Sequence, residues 1–188
     1  MSFSILYERV QAREPKISTL WLRDQVIDLT EINSVKEQWT GVLDESAVRG
    51  FYVEGPQGPP VPLRENESLI VLARSLTKDW RRIVYTKELM HAFDEPEEKT
   101  DTPEKFDKQL ERFGDPNPEP NAQYRAEAKA FWRALAVLCP EKYRLEQKML
   151  FEANEVSFDV VAARLKIPSQ YVGGLFRGDF LKILGHIK

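Results

Sequence analysis

The sequence predicts an α+β fold with a small antiparallel sheet, and three observations carry that prediction. Gly50-Phe-Tyr-Val-Glu-Gly55 and Ser68-Leu-Ile-Val-Leu-Ala73 are short runs suited to strands. Between them, PQGPPVPLRENE holds one glycine and four prolines, which suits a loop or an edge strand. From Asp79 onward the apolar residues recur at helical spacing instead.

The elements follow in chain order. In residues 1–48, LYERVQAR and SVKEQW read as helical, and TLWLRDQVIDL suits either a helix or a strand. Asp79 is placed to cap a helix on which Trp80, Ile83, Val84, Lys87, Met90, His91 and Asp94 share one face. A second helix spans about 122–138, ahead of Pro140, and a third runs from Glu141 to about Asn154. Ser157 and Ser169 then start two short helices, with Val161, Ala162, Leu165, Ile167, Val172 and Leu175 at the buried positions of a helix-turn-helix. The expected division is a main domain, 1–155, with a helix-turn-helix-like tail, 156–188, packed on it.

Composition excludes several classes. The 188 residues include 27 Lys+Arg, 30 Asp+Glu and 2 His, a net charge of -3, which argues against a histone-like polycation. The single cysteine, Cys139, allows no intramolecular disulfide and points to a reducing compartment, the cytoplasm. At a helix end before Pro140 and without a partner signature, it reads as a buried thiol. Trp80 and Trp132 read as core. No stretch approaches the roughly 20 apolar residues of a membrane span, and MSFSILYERVQAREPK shows no basic region followed by an apolar one, so no export signal is visible in it. Residues 94–120 carry 4 basic and 10 acidic side chains and five prolines, so they read as a solvated excursion around one helix, 103–113.

The chemistry-bearing string is Arg81-Arg-Ile-Val-Tyr-Thr-Lys-Glu-Leu-Met-His-Ala-Phe93. On a helix, residues four apart are stacked neighbours, so Lys87 and His91 face one way with Glu88 beside them. That is the layout of H-E-x-x-H, in which two imidazoles hold zinc and the glutamate acts on the metal-bound water. Here the first histidine is lysine.

The chain resembles the ImmA/IrrE family of bacterial and phage zinc metallopeptidase-like proteins. Arg82-Ile-Val-Tyr-Thr-Lys-Glu-Leu-Met-His91 fits its helix motif R-F-x-x-x-H-E-x-x-H. Glu127-Ala-Lys-Ala-Phe-Trp-Arg-Ala-Leu-Ala-Val-Leu-Cys-Pro140 is similar to its E-A-N-x-F-A-A-x-L-L-x-P helix, with two extra residues before the proline. The resemblance covers roughly residues 50–176 and implies a zincin-like pair of helices. It implies His91 and Glu127 as metal ligands, Glu88 as general base, and Lys87 at the position of the first ligand. It also implies a protein partner, a repressor or another regulator.

Lys87 bears directly on activity. A protonated lysine has three donors and no lone pair, and two protein ligands fall short of the three that a catalytic zinc takes. His186 is the one other imidazole that could complete the set. The expected protein is therefore a metallopeptidase-like molecule with a degenerate site, no resident cofactor, and the Lys87 ammonium paired with Glu127 or Glu88 where zinc would lie. Two alternatives stand beside it. One is an active zinc endopeptidase acting on a regulatory protein. The other is a small DNA-binding regulator using the tail, although Ser169, Gln170 and Tyr171 offer a groove no cation before Arg177.

Overall fold

The computed structural model describes residues 3–56, 61–99 and 122–187. The order of elements is α1 (Phe3–Gln11), α2 (Thr19–Leu29), β1 (Ser34–Thr40), β2 (Gly50–Glu54), β3 (Glu67–Ala73), α3 (Lys78–Met90), α4 (Ala122–Leu138), α5 (Glu141–Glu152), α6 (Phe158–Leu165), α7 (Val172–Leu175) and α8 (Phe180–Ile187). The fold is α+β. No helix among the described residues is long and apolar enough to cross a membrane. The helix expected at 103–113 lies outside the described residues.

The sheet departs from expectation in two ways. SVKEQW is not helical; it forms β1, which pairs in parallel with β3 from Ser34↔Glu67 to Thr40↔Ala73. The sheet is consequently mixed, in the order β1-β3-β2, with only β2 antiparallel to β3. The reason is tertiary: β3 buries every residue from Ser68 to Ala73, so its backbone needs hydrogen-bonding partners on both sides. A six-residue window such as SVKEQW has too few apolar positions to establish a helical period against that demand. TLWLRDQVIDL resolves as α2, capped by the Ser18 side chain, which accepts from the Trp21 N–H.

β2 sits unusually close to its neighbours. A Cβ at Gly50 would lie 2.9 Å from the Val71 carbonyl oxygen and from side-chain carbons of Leu72 and Val84. Only glycine permits that approach, which seats β2 beside α3.

A short link, 74–77, carries the chain from β3 into α3. The residue preceding the helix is Thr77, and Asp79 lies within its first turn, so Asp79 is not the cap. It still places negative charge at the positive end of the helix dipole. Arg82 ties this helix down: its guanidinium donates to the Ile17 carbonyl at 2.6 Å and the Leu165 carbonyl at 3.1 Å. The main core then runs from Phe3 and Leu6 through Ile70, Leu89 and Leu135 to Val172 and Ile187, and a second, smaller cluster of Leu63, Leu69 and Val71 lies on the other face of the sheet. Trp80 and Trp132 are half-buried against it.

In the tail, Ser157 caps α6 by accepting from the Val160 N–H. Ser169 does not cap a second helix of normal length. Residues Ser169–Tyr171 form a 3-10 turn that leads into the four-residue α7. The α6 C-terminus turns through Lys166, held in the left-handed region at φ 55°, where a Cβ is strained. Lys166→Gly is expected to raise unfolding stability by about 0.5–1 kcal/mol, read from urea denaturation. An unchanged or lowered midpoint would contradict it.

Candidate functional site

The site is built where the last turn of α3 meets α4. Lys87 and Glu88 belong to α3, and His91 follows it as the first residue of a 3-10 turn, His91–Phe93, with helical backbone angles. The i, i+4 relation of Lys87 to His91 is therefore kept. Glu127 comes from the second turn of α4. The four side chains named from the sequence lie together.

Their arrangement is a compact ionic cluster. The Lys87 ammonium donates to Glu127 Oε2 at 2.5 Å and lies 2.9 Å from Glu88 Oε1. His91 Nε2 faces the same carboxylates, 3.5 Å from Glu127 Oε1 and 3.7 Å from Glu88 Oε2. Glu88 is the deepest member, its side chain 2 % exposed, whereas that of Glu127 is 32 % exposed. Neither Glu88 Oε1 nor His91 Nε2 has a well-aligned hydrogen-bond partner. The short Lys87–Glu88 approach is an ion contact rather than a directed hydrogen bond.

Protonation follows from this geometry. Burial works against the Lys87 charge, but Glu88 and Glu127 outweigh it and hold the ammonium above its ordinary pKa. Burial raises the Glu88 pKa, with Lys87 opposing and Glu127 adding to the rise. Burial would lower that of His91, yet Glu127 and the hydrogen bond to Asp94 lift it above the usual histidine value.

Three participants carried no signal in the motif. Asp94 Oδ2 sits 2.6 Å from His91 Nδ1, and its other oxygen accepts from the Arg133 guanidinium at 3.1 Å. Arg133 also donates to the Ile187 carbonyl at 3.0 Å, which links the final helix to the pair. Tyr52, on β2, lies with its ring stacked on that of His91 at 6.2 Å and donates to Glu54 Oε1 at 2.9 Å. Asp94 was legible only as a member of the apolar face. Arg133 shows as a single charge entering the run Ala134–Cys139, and Tyr52 had no distinguishing context.

The tail also reaches these helices. Tyr171 packs edge-on against Trp80 of α3 and Phe131 of α4, at 5.5 and 5.0 Å between ring centres. Two cations of the tail are engaged, Arg164 with Gln147 of α5 and Arg177 with Asp179. His186 is exposed on α8.

The donor set decides whether zinc fits these residues as they stand. His91 Nε2 and a Glu127 oxygen are the right types, but the group at the third position is an ammonium. Among the described residues, no group of three or more His, Cys, Asp or Glu side chains is arranged to hold a metal ion. Zinc does not fit this constellation with Lys87 in place.

Cys139 stands apart from this chemistry. It is buried, and burial pushes its thiol up to about 12, so the reactive thiolate is scarce near neutrality. Iodoacetamide at about pH 8, near the ordinary thiol pKa, is expected to leave the native protein unlabelled and to modify the urea-unfolded chain, as read by mass spectrometry. Rapid native labelling would contradict the packing around this residue.

No family model, curated protein or solved structure matches this chain.

Proposed function

We propose that this chain is a metallopeptidase-like protein with a degenerate zinc site, non-catalytic, which acts by binding another protein in bacterial or phage regulation. The single observation behind the reading is the Lys87 ammonium held between Glu127 and Glu88, at the residue that the resemblance aligns with the first ligand. Peptide hydrolysis by a zincin-like site needs a metal that lowers the pKa of bound water and polarises the carbonyl. The residues present provide a charge-compensated cluster instead. With Glu88 in contact with Lys87, that carboxylate is engaged as an ion-pair partner rather than free to take a proton from water. The motif's resemblance to the ImmA/IrrE family supports a regulator, such as a transcriptional repressor, as the partner.

The test compares purified wild type with Glu88→Gln on unfolded casein, with and without added zinc. Equal, background-level cleavage by both proteins is expected. Zinc-stimulated hydrolysis that Glu88→Gln abolishes would overturn the reading and establish an active endopeptidase.

A further inference from the structure

We infer that the Lys87 ammonium stands at the cation position of an otherwise formed metal site, that it keeps zinc out of the wild-type chain, and that Lys87→His alone admits zinc. This rests on the degenerate-site reading above.

The separation of the remaining groups carries the argument. Two ligands on one tetrahedral zinc, each about 2.1 Å from the ion, are about 3.4 Å apart. His91 Nε2 and Glu127 Oε1 are separated by 3.5 Å. That spacing matches one edge of a ligand tetrahedron. His91 is also prepared on its far side. Asp94 engages Nδ1 at 2.6 Å and leaves Nε2 facing the cluster without a hydrogen bond. A carboxylate on the second ring nitrogen is what orients a metal-binding imidazole and raises its basicity. Arg133 secures that carboxylate in turn, 3.1 Å from its other oxygen.

Lys87 completes the picture. It lies four residues before His91, the helical spacing that lets two side chains share one ion. Its positive charge sits 2.5 Å from Glu127 and 2.9 Å from Glu88, where it compensates the carboxylates that would otherwise face each other. The ammonium supplies charge but no lone pair, and zinc could enter only by displacing it from both anions. An imidazole at position 87 reverses both properties: it offers a lone pair and leaves the charge to a metal. The expected ligand set is then that introduced imidazole with His91 and Glu127, and Glu88 stands alongside.

The experiment uses the full chain. Wild type, Lys87→His and the double variant Lys87→His, Glu127→Ala are stripped with chelator, dialysed against zinc chloride and washed. Metal content is then measured, with melting temperature and the visible absorption of a cobalt(II)-substituted sample. Lys87→His is expected to retain about one zinc per chain, to melt higher with zinc than without, and to give the intense bands of tetrahedral cobalt. Wild type and the double variant retain none. Lys87→His also removes the charge that holds Glu88 and Glu127, so folding only in the presence of zinc would support the inference equally. A Lys87→His chain that folds without zinc and binds none, or that fails to fold even with zinc, overturns this inference and leaves the non-catalytic reading standing. Stoichiometric zinc in the wild type overturns both.

Discussion

Replacing Lys87 with methionine is expected to cost the fold about 3 kcal/mol, because it leaves a buried carboxylate without its cation. Methionine keeps the length and most of the volume of the lysine stem, so the loss reports charge rather than packing. The estimate sits at the lower end for a broken buried pair because Glu127 remains 32 % exposed and partly solvated. Glu88, at 2 %, has no such relief. The double variant Lys87→Met, Glu88→Gln should recover most of the loss, since the amide carries no charge. Urea unfolding of the three proteins measures both effects. A loss under about 1 kcal/mol in the single variant would mean that the cluster behaves as an exposed pair.

The same substitution should change how stability depends on pH. Burial already raises the Glu88 pKa in the folded protein, and removing Lys87 takes away the largest opposing influence. A carboxyl whose pKa is higher folded than unfolded binds its proton more tightly in the native state. Its contribution is favourable below the unfolded carboxylate pKa and is lost as pH rises through the folded value. The deficit of Lys87→Met relative to wild type is therefore expected to narrow as the solution is acidified and to widen toward neutrality. A deficit that grows on acidification would contradict the assignment to Glu88.

Breaking the Asp94–Arg133 pair should have an effect of similar or greater size. Both side chains are almost fully enclosed, 2 % and 5 % exposed, so Arg133→Leu leaves the Asp94 carboxyl buried without its guanidinium partner. A loss of about 3–5 kcal/mol is expected. Asp94→Asn should be milder, because Arg133 keeps its bonds to the Phe93 and Ile187 carbonyls. A double-mutant cycle isolates the pairwise part. Coupling near zero would show that Arg133 stabilises through those carbonyls and its packing over the Phe3 ring.

The legible parts of this protein were the locally encoded ones. Lys87, Glu88 and His91 lie within five residues, and helical geometry alone places them on adjacent positions. The Ser157 cap, α4, α5 and the strands at Gly50 and Ser68 were legible for the same reason. SVKEQW was not, because its state depends on a parallel partner more than thirty residues away. A short window cannot anticipate which backbone will need its hydrogen bonds. Asp94 and Arg133 are separated by 39 residues, and neither has a local signature that announces the other.

By itself, the sequence determined that this is a chain with two histidines, one cysteine, and a helix carrying lysine where an H-E-x-x-H motif has its first ligand. It thereby set which donor atoms the site can offer, since side-chain chemistry is inherited directly from residue identity. Tertiary structure alone decided what those donors meet. It brought Glu127 across forty residues to the Lys87 ammonium and set Asp94 against His91 Nδ1, with the Tyr52 ring on another side. It also buried Glu88 to the point where its charge depends on Lys87. Coulomb and desolvation energies depend on distance and burial, and both are set by packing between elements that no local window contains.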